Sequence, residues 1–357
     1  MSAAELSAVA TLGFAPRSVA KWLVPLAARG ADAGLLLERA RELRSSDEWW
    51  PDSRRLDAEL DALEKTNATI LLFGHPQYPT LLRRTPDPPL CLHVRGRLPD
   101  RGKTCVAIVG SRSSKRNCLS FTSEMARGLA SAQVPVVSGM ARGVDAAAHS
   151  GCLDGGELTL AVLGCGVDVC YPRENKDLME RILETGALVS EHPMGVQPAP
   201  YHFPERNRII SGWCAGTVVV EAGAGSGALI TSRYALEHNR TVFAVPGAVW
   251  NPLSFGPNEL IRDGAVPVRN AGDILEEVFG IVPREAKSEA LASPRLTDVE
   301  GALLRLLDHD VAQHADDLAR LAGLSSSEAL PALLGLEIKG LATQIRGLRF
   351  LRIGGGA

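Results

Sequence analysis

Apolar and polar residues follow one period at the start of the chain and another through its middle. Up to residue 68 the apolar positions recur three and four apart, in SAVATLGFAPRSVAKWLVPLAARG and again in LDAELDALEKTNA, which predicts amphipathic helices punctuated by Gly30 and Pro51. From Thr69 the period changes. ATILLFG, LCLHVRG, CVAIVGS, VPVVSGM, LTLAVLG, ALVSEHP, GTVVVEAG and TVFAVPG are short apolar runs, mostly β-branched and mostly closed by glycine or proline. Helically spaced segments such as LSFTSEMARGLASA and NKDLMERILETG separate them. Continuous apolar strands alternating with helices predict an α/β fold with a parallel sheet covered on both faces. Ligands of such sheets bind at the carboxyl ends of the strands, where these runs place their glycines. Beyond the polar stretch GIVPREAKSEALASPR, the patterns DVEGALLRLLDHD, HADDLARLAGL and SSEALPALLGLEIKGLATQIRGLRFLRI predict three helices and a terminal hairpin, the rhythm of a winged helix. The expected divisions are a helical module over 1–68, the sheet domain over 69–283, a linker over 284–296 and the winged-helix-like domain over 297–357.

Charge narrows the function. The 357 residues carry 41 acidic and 38 basic side chains, a formal net charge of −3. Bulk attraction to nucleic acid is excluded, so an anion site must be a local concentration of Arg and Lys. The helix Ser326 to Gly335 at the recognition position of the winged helix carries Glu328 and no cation. A protein contact or a structural role is favoured there over duplex reading, because phosphate contacts need cations. No run of about 18 apolar residues occurs, and MSAAELSAVA lacks the basic region of a signal peptide, so a cytoplasmic protein with no membrane partner is expected. The seven cysteines are odd in number and scattered, without a CxxC pair or histidine at ligand spacing. Free thiols and no metal are the expectation.

The candidate chemistry lies at the strand ends. In VGSR, Gly110 gives a sharp turn, Ser111 a hydroxyl and Arg112 a guanidinium before a helix start, with Lys115 and Arg116 close by. Such a turn either cradles a phosphate or merely joins strand to helix among surface cations. VVSGMARGVDAAAHSG repeats the pattern with Ser138-Gly139 and Arg142-Gly143. Asp145 and His149 there share a helical face, and a capping Asp with a packed His is favoured over an acid–base pair. A third strand end carries Gly164 and Gly166, then Tyr171-Pro172, a cation at Arg173 or Lys176, and Asn175 as a candidate cap. YHFPERNRIISG sets Tyr201 and Phe203 before Arg206, Asn207 and Arg208. Aromatic faces beside guanidinium groups suit bases and phosphates of single-stranded nucleic acid. The alternative is a loop that packs Phe203 and pairs its arginines with Glu205 and Glu191. VVVEAGAGSGALITS ends a strand at Glu221 and supplies Gly223, Gly225, Ser226, Gly227 and Thr231, small residues that let a phosphate or sugar approach. Residues 245–265 are expected to form a long loop.

In order, YPTLLRRTPDPPLCLHVRG, VAIVGSR, VSGMARGVDAAAH, LGCGVDVCYPREN, SEHP, FPERNRIISG, VVVEAGAGSGALIT, VFAVPG and GPNELIRDGA resemble the DNA-processing protein A family (DprA, also called Smf) of natural transformation, over about residues 69–280. The resemblance implies an extended Rossmann-like domain, with a SAM-like helical head and a winged-helix tail as appendages. It implies binding of single-stranded DNA, no cofactor and no chemical step, a homodimer, and loading of the RecA recombinase onto strands coated with single-strand-binding protein. By position, Arg112 would grip a phosphate, Ser138-Gly139 would line the groove, Phe203, Asn207 and Arg208 would hold bases and backbone, and Ser226, Gly227 and Thr231 would complete the far wall.

The chain departs from the family where Gly225 replaces a common cation, Ala228 a serine, Trp213 and Cys214 the usual Leu and Ser, and Phe255 and Pro257 other residues. Loss of that cation would flatten the salt dependence of DNA binding by about one phosphate contact. Two competing readings remain. One is a nucleotide-hydrolysing enzyme resembling phosphoribohydrolases, weakened because Glu221 precedes the glycines instead of following them. The other is a regulator that binds duplex DNA through the winged helix.

Overall fold

Helices α1 (Ala3–Gly13), α2 (Arg17–Ala28), α3 (Ala33–Leu43) and α4 (Ser53–Thr66) open the computed structural model, which describes residues 2–43, 49–281, 296–308 and 311–353. Local chemistry sets their ends. Ser2 and Glu5 form a capping box at the start of α1, the Asp52 carboxylate accepts the Arg55 N–H at the start of α4, and Asn67 closes α4 in the left-handed region at φ 51°.

Strands β1 (Ala68–Leu72), β2 (Cys91–Gly96), β3 (Val106–Val109), β4 (Val136–Ser138), β5 (Thr159–Val162), β6 (Ala187–Ser190), β7 (Gly216–Val219), β8 (Thr241–Ala244) and β9 (Val266–Pro267) form one sheet in the order β1-β2-β6-β5-β4-β3-β7-β8-β9. From β6 to β9 every pairing is parallel, whereas β1–β2 and β2–β6 are antiparallel. The intervening helices are α5 (Thr80–Arg83), α6 (Arg116–Ser131), α7 (Val144–Asp154), α8 (Lys176–Thr185), α9 (His202–Trp213), α10 (Gly227–Glu237), α11 (Phe255–Arg262) and α12 (Ala271–Phe279). The apolar runs of the parallel strands are continuous because both faces are covered. In β3, Val106 and Ile108 pack among side chains of α6, α7 and α12, while Ala107 and Val109 belong to the core shared with α8, α9 and the opening helices.

Several expectations change. The head over 1–68 shares that core with the sheet, and residues 1–282 form one unit. Residues 245–265, expected as a loop, contain a 3-10 turn at Pro252–Ser254 and then α11, and β9 follows them. Pro257 is compatible with a helix there because it sits in the first turn of α11, where its missing N–H has no intrahelical partner to lose. Asp145 does not cap α7, whose cap position is Gly143; its carboxylate accepts the N–H groups of Gly139 and Ala141. Asn175 precedes α8, yet its amide donates to the Met140 carbonyl at 2.9 Å. All seven cysteines are free and five are buried.

The second unit, residues 283–357, contains α13 (Asp298–Leu306), β10 (Gln313–His314), α14 (Ala315–Ala322), α15 (Ser326–Ile338), β11 (Ala342–Ile345) and β12 (Arg349–Arg352). Its strands form a sheet in the order β10-β12-β11 over a core that includes Leu303, Leu318, Leu333, Leu336 and Phe350, a winged helix with one more short strand than the hairpin expected. The expected linker over 284–296 lies outside the described residues apart from Leu296. Among the described residues no helix is long and apolar enough to cross a membrane, and no cluster of three His, Cys, Asp or Glu side chains could hold a metal ion.

Buried histidines make the sheet unit acid-sensitive. His149 on α7 is fully buried with Nδ1 2.7 Å from Thr159 Oγ1, and burial pulls its pKa from 6.5 to about 3. Burial, with smaller repulsion from neighbouring basic groups, pulls His192 down to about 4. Both are neutral in the fold. Because the folded values are depressed, their contribution to stability is complete above the unfolded value and is lost as pH falls toward the folded ones. Urea midpoints should therefore decline on going from about pH 7 to about pH 4.5, and His149→Gln should flatten that decline.

Candidate nucleic-acid interface

The chain leaves β3 for β4, β5 and β6 on one side and returns to β7 on the other, so a crevice opens at the carboxyl ends of β3 and β7. A cavity of about 630 Å³ occupies it. One wall is Gly110, Ser111 and Arg112 after β3, and the opposite wall is Gly223 to Ala228 with Thr231 at the start of α10. The first turns of α9 close a third side with Phe203, Arg206 and Asn207. Gly110, Ser111, Arg112, Phe203, Arg206, Asn207, Ser226, Gly227 and Thr231, all singled out from sequence, thus border one space. Gly139, Arg142 and Gly164 border an adjoining cavity of about 530 Å³.

Buried polar contacts fix the floor. Arg206 is 4% exposed; its Nη1 donates to the Gly139 carbonyl at 3.0 Å and to the Val162 carbonyl, and its Nε donates to Asn207 Oδ1 at 3.2 Å. Asn207 Nδ2 donates in turn to the Gly227 carbonyl at 3.1 Å. One series of side-chain bonds therefore links the ends of β4 and β5 to α9 and to the first turn of α10. Burial raises the pKa of Asp145, against the pull of Arg206; burial lowers that of Arg206 to about 10, which leaves the guanidinium charged at neutral pH. Gly139 is required by close approach: a Cβ there would lie 2.5 Å from Arg206 Nη2.

The mouth is built differently. Ser111 Oγ accepts the Ser113 N–H at 3.1 Å and shapes the turn, which leaves Arg112 exposed and without a carboxylate partner among the described residues. Its guanidinium carbon stands 5.6 Å from the centre of the Phe203 ring. Across the cavity, Ser226 caps α10 by accepting the Ala228 N–H, and Thr231 donates to the Gly227 carbonyl. The eleven-residue α10 thus directs its positive end toward the space that Arg112 faces.

Other sequence candidates fall elsewhere. Arg208 was expected on the groove, but it is 2% exposed on the other side of α9, ion-paired to Glu191 and 3.4 Å from Asp87. Arg17 of the helical head pairs with the same Asp87, so Arg208 ties the head to the sheet. Ser138 is buried and donates to the Ile108 carbonyl at 2.6 Å. Gly143, at φ 76°, packs on the Ser111 carbonyl, where a Cβ would lie 2.3 Å from the oxygen. The Gly166 N–H bonds to the Val196 carbonyl. Lys115 is exposed at the cap position of α6 and borders neither cavity, and Arg142 is ion-paired to Glu174. Tyr171, which the sequence reading named only as part of a turn and left out of the site, borders both cavities. Its signal was present, as an aromatic one turn beyond a glycine-closed strand.

A parallel-rich, Rossmann-like sheet with a cleft at its switch point in one unit, and a winged helix in the other, define an α/β protein class with a winged-helix domain. Residues 69–279 match the family model of DNA recombination-mediator protein A, and residues 287–347 match the DprA winged helix domain. The chain belongs to the DNA recombination-mediator protein A (DprA/Smf) family. It is 37% identical to protein Smf of Escherichia coli over 323 residues, 88% of this chain and 86% of that one. It is 42% identical to DNA processing protein DprA of Streptococcus pneumoniae over 200 residues, 56% of this chain and 71% of that one. The X-ray structure of the S. pneumoniae protein superposes with a TM-score of 0.59 at 34% identity, covering 70% of this chain and 83% of that chain. DNA processing protein A from Helicobacter pylori, described for its single-stranded DNA binding mode, superposes with a TM-score of 0.53 at 25% identity, over 60% and 96%.

The two kinds of arginine separate by stability. Arg208→Ala should lower the unfolding free energy by ~3–5 kcal/mol, because Glu191 is left buried without its partner. Arg112→Ala, at an exposed position, should change it by less than ~0.5 kcal/mol. Urea denaturation of the two variants measures both.

Proposed function

We propose that this protein binds single-stranded DNA in the cleft between β3, β7 and α9, and mediates recombination without a chemical step of its own. The observation that carries the reading is Arg112 set over the Phe203 ring, at the mouth of a cavity whose far wall is the start of α10. A guanidinium and a helix start serve phosphates, and a half-buried aromatic ring at the cavity border serves bases of any sequence. The H. pylori relative described for single-stranded DNA binding supports the same ligand.

Family membership supports the finer reading. The protein would protect incoming strands and load RecA recombinase onto DNA covered by single-strand-binding protein, during transformation or homologous recombination, and would act as a homodimer. Dimerisation would extend the groove over two subunits and raise avidity for a long strand. The hydrolase alternative is disfavoured because Glu221, bonded through Oε1 to Asn251 at 3.1 Å, does not border the cavity. Duplex reading by α15 is disfavoured because that helix carries Glu328 and Glu337 and no cation.

Titration of poly-dT and of duplex DNA across a range of salt tests the proposal. The single strand should bind more tightly. Arg112→Ala should cost ~1–3 kcal/mol and flatten the logarithmic salt slope by about 0.7, the value of one phosphate on a single strand. Phe203→Ala should cost ~1–3 kcal/mol. Folded variants that both bind as the wild type does would place the DNA elsewhere.

A further inference from the structure

The Phe203 ring is a partition as well as a wall. Behind it lies the cavity of about 530 Å³, and Arg112, Tyr171, Phe203 and Arg206 border this space and the larger one alike. The Tyr171 and Phe203 rings lie 5.4 Å apart with 31° between their planes, and Arg112 stands 5.6 Å from the Phe203 centroid. Cation, ring and ring thus form a septum with a hollow on each side. Tyr171 is 40% exposed, so part of its ring is open to solvent beside the second hollow.

We propose that the second hollow is a base site: it takes the nucleotide adjacent in the strand to the one in the larger cavity, with its base stacked on Tyr171 and the intervening phosphate at Arg112. This rests on the reading that the cleft binds single-stranded DNA. Three features argue for a base there. The volume falls within the range of small-molecule sites. The border cation Arg142 is already neutralised by Glu174, so that wall suits an uncharged ring better than a second phosphate. Arg206, the buried cation of the floor, has Nη1 committed to the Gly139 and Val162 carbonyls and Nε to Asn207, and Asp145 answers its charge. Arg112 is left as the cation common to both hollows whose charge no carboxylate among the described residues answers, and a single phosphate joins two adjacent nucleotides. Stacking on a tyrosine accepts every base, so the site adds affinity without sequence preference.

Binding to poly-dT and to a strand of abasic deoxyribose phosphates, measured for wild type and Tyr171 variants, separates the possibilities. Tyr171→Ala should raise the Kd for poly-dT about tenfold, within what one stacked base contributes, and leave the abasic strand unaffected. Tyr171→Leu, which keeps apolar packing on Phe203 without a stacking face, should behave like the alanine variant, and Tyr171→Phe should restore most of the loss. Wild-type affinity for poly-dT in a folded Tyr171→Ala protein overturns the second base site and leaves the cleft reading standing. Equal losses on both strands overturn it as well, because Tyr171 would then only support Phe203. Failure of the wild type to bind poly-dT would sink the cleft reading and this inference with it.

Discussion

The Arg206 guanidinium, buried beneath the carboxyl ends of the strands, is the constraint on which the cleft depends. A charge at 4% exposure survives only where it is hydrogen-bonded and answered, and here the Gly139 and Val162 carbonyls accept from Nη1 and the Asn207 amide oxygen from Nε. Those acceptors belong to β4, β5 and α9, so the ends of these elements cannot shift independently. Asp145 supplies the counter-charge and also holds the N–H groups of Gly139 and Ala141, which binds the turn after β4 into the same cluster. The floor of the cavity is tied together because a buried polar network that is mostly satisfied has few alternatives.

From that fixed floor comes a division among the arginines. Arg206 and Arg208 are spent on structure, one under the cleft and one between helical head and sheet, whereas Arg112 remains in solvent over an aromatic ring. A protein of net charge −3 can thus present a local anion site, since what matters near the cleft is which cations are free, and not how many the chain carries.

The strands were legible because burial on both faces demands unbroken apolar runs, and turns at the sheet edge demand glycine. β9 was not, since two residues at a sheet edge leave no pattern, and α11 was hidden by Pro257 and by the glycines around it. The direction of β1 and β2 was also hidden, because pairing sense depends on connections and not on hydrophobicity. At the cavity, Phe203 and the glycines Gly110, Gly223, Gly225 and Gly227 border the space as the sequence suggested, and Arg208 does not, for a specific reason. With 202–213 helical, Phe203, Arg206, Asn207 and Ile210 fall three and four apart on the face that borders the cavity, and Arg208 turns away from it. The groove reading assigned no helix there and had no means of separating the two arginines, whereas the alternative that paired them with Glu205 and Glu191 named the partner that Arg208 has.

A preformed floor suits the flexible single strand proposed as ligand. A single strand loses conformational freedom wherever it is held, so a receptor that also had to order itself would bind it weakly. Here Gly139 admits the guanidinium that ties the floor together, and Gly143 lets the next helix start pack against the turn that carries Arg112. The glycines that looked like a phosphate cradle in the sequence therefore also act a layer deeper: they allow the backbone to come close enough that the few exposed groups above it are held in place before any ligand arrives.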